Sequence, residues 1–126
     1  MKLHQDTPAG FNRFTGYGEG YVLVNGERFE GGLIVFPEQP VLSWEASFDT
    51  LESAHFQIIL DASPEILILG TGRRQRFPEP SIFRQLYEAR IGVEVMDSPA
   101  AARTYNILMG EGRQIAAAII TDRQAS

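Results

Sequence analysis

Cysteine is missing from the 126 residues, and with it every disulfide, thiolate metal site and cysteine nucleophile. Nothing in the composition therefore signals an oxidising compartment. Lysine is nearly missing too: Lys2 is the only one, so the cationic side chains are almost all arginine. Long apolar runs are absent. The longest, Ile115–Ile120, falls far short of the roughly 18 residues of a membrane span. The opening MKLHQDTPAG lacks the apolar stretch of a signal peptide. These absences lead us to expect a cytoplasmic protein with no membrane insertion.

A basic excess is absent as well. The formal charge is −5, so the mean field repels nucleic acid and anionic lipid, and no nucleic-acid partner is expected. Histidine occurs twice, as His4 and His55, without metal-ligand spacing, and no metal or other cofactor is expected. There is no G-x-S-x-G, hence no nucleophile elbow. We therefore name no catalytic residue.

What remains is the composition of an ordinary soluble domain, 44% apolar and 21% charged. A chain of this length buries roughly 68% of the surface it exposes when unfolded. We expect one domain over residues 1–126, with loose ends at about 1–15 and 122–126.

The pattern along the chain changes period. Tyr21–Val24 and residues 33–36 read as strands around the turn signals Asn25-Gly26 and Gly31-Gly32. A short strand at 41–44 follows Pro40. Helical spacing of Leu51, Phe56, Ile59 and Leu60 predicts a helix over 51–62, ended by Pro64. The run EILIL then has the continuous apolar character of a strand covered on both faces. Helix 81–89, strand 93–96, helix 99–109 and strand 114–121 complete a βαβ rhythm.

One stretch invites a functional reading. GTGRRQRFPEPS begins at Gly70, between a predicted strand and a predicted helix. It is not a Walker loop, which needs a lysine before serine or threonine, and the third glycine of a dinucleotide fingerprint is missing. It reads either as a glycine bend followed by a solvated basic loop or as part of an anion crevice. The second reading rests on geometry, because loops after successive parallel strands open on one sheet edge. That places Gly70, Gly72, Arg73, Arg74 and Arg76 beside the next helix start, where Ser98 is the expected N-cap, Pro99 the first helical residue and Arg103 one turn further on. Asp97 is either a cap or a polar partner of these arginines. Trp44 and Tyr105 read as core or rim aromatics.

The segments ILILGTG and GVEVMDSPAAARTYNILMGEGRQIAAAII resemble the Mth-like domain family of small conserved proteins. The relatives of that family include a mitochondrial complex I assembly factor and an adipogenesis-associated protein. The resemblance runs from about Gly16 to Thr121. It implies an α/β fold: a single three-layer domain with a mixed central β-sheet, helices packed on it and an N-terminal β-rich layer. It implies no established catalysis, and action through protein contacts. Ala102 stands where family members often carry cysteine, so no thiol-dependent role is expected here.

Together these readings predict a non-catalytic binding or assembly-type protein. It would recognise a protein partner or a small anionic ligand at the Arg-lined edge. A small enzyme acting on a phosphate- or carboxylate-bearing metabolite in the same crevice is the alternative. The short strands over residues 21–44 have edges that need covering, which predicts a homo-oligomer or a protein partner.

Overall fold

The computed structural model describes residues 10–121. The loose ends expected at 1–9 and 122–126 lie outside the described residues. Residues 10–15 are not loose, since Asn12 and Phe14 are both buried.

Three short strands form an antiparallel meander: β1 (Phe14–Gly18), β2 (Tyr21–Val24) and β3 (Glu27–Glu30). Asn25 and Gly26 both take positive φ, 52° and 83°, so the predicted turn is a two-residue hairpin loop whose twist matches its strands. The sequence reading missed β1 and β3. Their residues are mostly exposed and carry no apolar alternation, so the pairing with β2 makes them strands.

The second sheet has five strands in the order β5-β4-β8-β6-β7. These are β4 (Gly32–Val35), β5 (Leu42–Trp44), β6 (Ile66–Thr71), β7 (Gly92–Met96) and β8 (Ile115–Ile120). β4 runs antiparallel to β5 and β8, whereas β6 is parallel to both β7 and β8. The sheet is therefore mixed.

Strand alternation sends Ile68, Ile115, Ala117 and Ile119 to one face, where Tyr105, Met109, Phe14 and Val22 meet them. That face is covered by α3 (Ser98–Gly110) and the three-stranded sheet. Leu67, Leu69, Ala116 and Ala118 point the other way, toward Ile59 of α1 (Gln57–Ala62), Leu86 of α2 (Arg84–Glu88) and the Phe56 and Phe83 rings just ahead of those helices. The result is the expected three-layer α/β arrangement. It also explains the continuous apolar runs of β6 and β8: a strand covered on both faces has no side to leave polar.

Two helices are shorter than predicted. The expected helix 51–62 is a 3-10 turn at Ser53–Phe56 followed by α1, and a further 3-10 turn at Phe48–Thr50 precedes it. His55 ends up in the 3-10 turn, its Nδ1 accepting from the Glu52 N–H at 3.1 Å. Its carbonyl accepts from the buried Trp44 indole at 2.8 Å. α1 stops at Ser63, in the left-handed conformation, directly before Pro64. The expected helix 81–89 is likewise a 3-10 turn, Pro80–Phe83, leading into α2.

Candidate functional site

β6 and β7 are adjacent and parallel, so the loop over residues 72–80 and the start of α3 share one sheet edge, as the topology argument required. Contact there is close. A Cβ added to Gly70 would lie 2.7 Å from Ser98 Oγ and 2.9 Å from Ser98 Cα, so the glycine lets the first turn of α3 sit directly on β6. Gly72 takes φ 99°, a backbone conformation that favours glycine.

The N-cap of α3 is Asp97, the first of the two roles read for it from the sequence, and not Ser98. Its carboxylate accepts from the Ala100 N–H at 2.7 Å, which leaves Ser98 and Pro99 as the first helical residues. Ser98 is buried and does something else. Its hydroxyl accepts from the Gly72 N–H at 2.9 Å and donates to the Ile120 carbonyl at 2.7 Å, and its own N–H donates to the Gly72 carbonyl at 2.7 Å. Thr71, fully buried, donates to the Arg74 carbonyl at 2.7 Å and accepts from the Arg76 N–H at 3.0 Å. The N–H groups of Gly72, Ser98 and Ala100 are thus all bonded within this junction.

The arginines part company. Arg73, exposed, reaches Glu19 of the β1–β2 turn at 3.4 Å. Arg103 donates to the Tyr17 hydroxyl at 2.8 Å, on the same hairpin. Arg76 folds back onto the Thr71 carbonyl, with Nε at 3.1 Å, and lies 4.4 Å above the Phe48 ring, toward the layer of α1 and α2. Arg74 is exposed on the loop. Gly70, Gly72, Arg73 and Ser98 therefore come together, Arg103 joins them through the hairpin, and Arg76 faces away. The crevice between hairpin and α3, lined by Tyr17, Gly72, Arg73, Ser98 and Pro99 among others, holds only about 30 Å³.

A larger opening of about 290 Å³ sits at the opposite end of the parallel strands, lined by Phe11, Phe36, Gln39, Met109 and Arg113 among others. Arg113 makes a two-pronged contact with Glu65 at 3.1 and 2.8 Å, which holds the Glu65 carboxyl below its ordinary value. Nearby, Asn12 is a buried polar junction that sequence reasoning missed. Its amide donates to the Phe36 carbonyl at 2.8 Å and accepts from Asn25 at 3.0 Å, and its carbonyl accepts from the Tyr105 hydroxyl at 3.1 Å. Burial pushes that hydroxyl above the usual phenol range. Among the described residues no cluster of three or more His, Cys, Asp or Glu stands ready for a metal.

Residues 14–120 match the family described as Protein of unknown function (DUF498/DUF598). The chain belongs to that family. Similarity to individual relatives spans most of this chain. It is 34% identical over 110 residues to the 13 kDa major membrane protein of Francisella tularensis subsp. holarctica, covering 85% of this chain and 89% of that one. It is 33% identical over 121 residues to NADH dehydrogenase [ubiquinone] 1 alpha subcomplex assembly factor 3 of Bos taurus, covering 94% of this chain and spanning 65% of the bovine protein's length.

Solved structures agree with the fold. A crystal structure of a Bordetella parapertussis protein superposes with a TM-score of 0.86 at 44% identity, covering 91% of this chain and all of that one (100%). A solution structure from Bordetella pertussis, described as an Mth938-like domain, gives 0.80 at 35% identity, covering 99% of this chain and 95% of that one. The Mth-like resemblance read from the sequence therefore holds, and so does the fold class it implied. Among the described residues no helix is long and apolar enough to cross a membrane.

Proposed function

We propose that this protein is a non-catalytic, assembly-type binding module that recognises a protein partner at the sheet edge formed by the β1–β2 hairpin, the loop over 72–80 and the start of α3. The observation that carries the proposal is the alignment of 94% of this chain, at 33% identity, with a protein named as a complex I assembly factor. The geometry supports a partner's surface over an enclosed metabolite. A crevice of about 30 Å³ is far below the roughly 300–1,000 Å³ of a ligand pocket, and the adjacent helix-start donors are already bonded within the fold. Arg73, Arg74 and Arg103 then serve as exposed contacts for carboxylates on the partner, with Tyr17, 44% exposed, as the neighbouring aromatic surface.

We place the protein in the cytoplasm. Fractionation of host cells checks that placement, since one relative is named a membrane protein. The test of function is capture of the tagged chain from its native host after mild crosslinking, compared with the Arg73→Ala, Arg103→Ala double variant. A reproducible protein set that the double variant loses supports the proposal. A bare monomer carrying a copurifying metabolite would sink it in favour of the enzyme alternative.

A further inference from the structure

β7 is an edge strand, paired with β6 on one side and with no described strand on the other. Two hydrogen bonds fix which way its backbone points. The Gly92 N–H donates inward to the Glu65 carbonyl at 3.0 Å. In a parallel ladder alternate residues turn both backbone groups to the same neighbour, so Gly92, Glu94 and Met96 face β6 while Val93 and Val95 face outward. On that outer side a side chain already stands where a strand would: Gln75 Nε2 donates to the Val95 carbonyl at 3.0 Å. The remaining outward groups, both N–H groups and the Val93 carbonyl, have no hydrogen-bond partner among the described residues.

The side chains define what could pair there. Val93 and Val95 are half-buried and pack toward α2, while Glu94 is exposed at the strand's centre and Met96 packs on the α3 side. A second copy is a poor occupant. The antiparallel register that pairs Val93 with Val95 of another copy sets Glu94 directly opposite Glu94, and like charges in that position destabilise a sheet. A segment with a cation between two apolar residues meets the opposite situation.

We propose that the outer edge of β7 accepts an extended segment of a partner protein as a sixth strand, with apolar residues beside Val93 and Val95 and a lysine or arginine beside Glu94. The backbone supplies the affinity and the Glu94 carboxylate the selection, as in strand-addition recognition generally. Tyr87, 54% exposed on the helix that packs on β7, widens the apolar side of the site. Gln75 yields its hydrogen bond to the incoming strand, which joins this edge to the loop carrying Arg73 and Arg74. The proposal deepens the assembly reading and rests on it for the nature of the occupant.

The test reads the edge alone, with a defined probe. The soluble peptide acetyl-Thr-Val-Lys-Val-Thr-Lys-amide is titrated into the full chain, against a counterpart with glutamate in place of the central lysine. Amide exchange at Val93 and Val95 is followed by NMR. We expect slowed exchange at both amides and binding of the lysine peptide about three- to ten-fold tighter than its counterpart. Glu94→Lys should reverse that preference. Val93→Pro removes an outward N–H that the native sheet does not use, and should abolish the protection at Val95; Glu94→Lys decides the matter if that variant does not fold.

Unchanged exchange at both amides, or a preference indifferent to Glu94→Lys, overturns the proposal. So does protection of these amides by self-association without peptide, which would make a second copy the occupant. The two readings fail separately. Host proteins captured through Arg73 and Arg103 alongside an inert β7 leave the assembly role standing without this strand. A β7 that selects the lysine peptide in a chain that captures nothing keeps the edge and removes the assembly role.

Discussion

Ser98 and Gly72 exchange two hydrogen bonds, the hydroxyl taking the glycine N–H and the serine N–H reaching the glycine carbonyl, at 2.9 and 2.7 Å. A third bond, from the same hydroxyl to the Ile120 carbonyl, ties β6, α3 and β8 at one point. Ser98→Ala would leave a buried N–H and a buried carbonyl without their partner. We expect a loss of about 1–3 kcal/mol of stability, read as a lower denaturant midpoint at unchanged slope.

Gly70 makes the same junction possible sterically, whereas Gly110 at the far end of α3 has open space around it. Gly70→Ala would push a methyl against the Ser98 backbone, and overpacking of this kind costs about 1–3 kcal/mol. Gly110→Ala should be neutral or stabilising by about 0.4–1 kcal/mol, because its backbone is helical and the methyl meets nothing. Opposite shifts in melting temperature for the two variants would confirm the contrast. Equal behaviour would mean that α3 is not seated on β6 as described.

The glycine bend was legible in the sequence because Gly70 and Gly72 interrupt an apolar run, and the shared edge followed from the βαβ rhythm. The direction of the arginines was not legible. Whether Arg76 turns to Phe48 or Arg103 to Tyr17 depends on which layer covers each face, a long-range fact that local spacing does not encode. Asn12 stayed hidden for a related reason. Its partners Phe36, Gln39, Asn25 and Tyr105 are distant in sequence, so a lone asparagine in an aperiodic stretch looked like loop. The Ser98 cap was misassigned because Asp97 and Ser98 are both good N-caps, and burial of the hydroxyl decided between them.

The central strands carry a direct test of the layers. Ile68 and Ile119 are both fully buried (0% exposed) on the face toward α3 and the small sheet. Truncating either to alanine should cost about 2–5 kcal/mol, the range for buried aliphatic side chains that leave a cavity. Chemical denaturation checks it. A change under about 0.5 kcal/mol at both positions would place these strands on a surface.

Acid should act through Glu65. Arg113 lowers the folded-state pKa of this carboxyl, so its contribution is present above the unfolded-state value and is lost as pH falls through the folded-state one. The pair is solvent-exposed, so its effect should weaken further in high salt. Glu65→Gln should flatten the acid limb of melting temperature against pH while leaving the neutral limb parallel to wild type. An unchanged acid limb in the variant would show that the contact carries no linkage.

The arginine edge separates partner recognition from small-anion binding. Arg73 spans 3.4 Å to Glu19 and Arg103 holds Tyr17, both at exposed positions, so alanine at the two sites should change stability little. Sulfate raises the melting temperature of many proteins by exclusion, and a specific site would add to that by mass action. The helix-start donors are engaged by Asp97, Ser98 and Gly72, so we expect equal sulfate stabilisation of wild type and of the Arg73→Ala, Arg103→Ala variant. Partner capture should nonetheless fall in that variant, because a protein surface needs the exposed guanidinium groups and not the buried amides. Sulfate stabilisation confined to wild type, beyond what chloride gives at equal ionic strength, would instead assign the edge to a small anion.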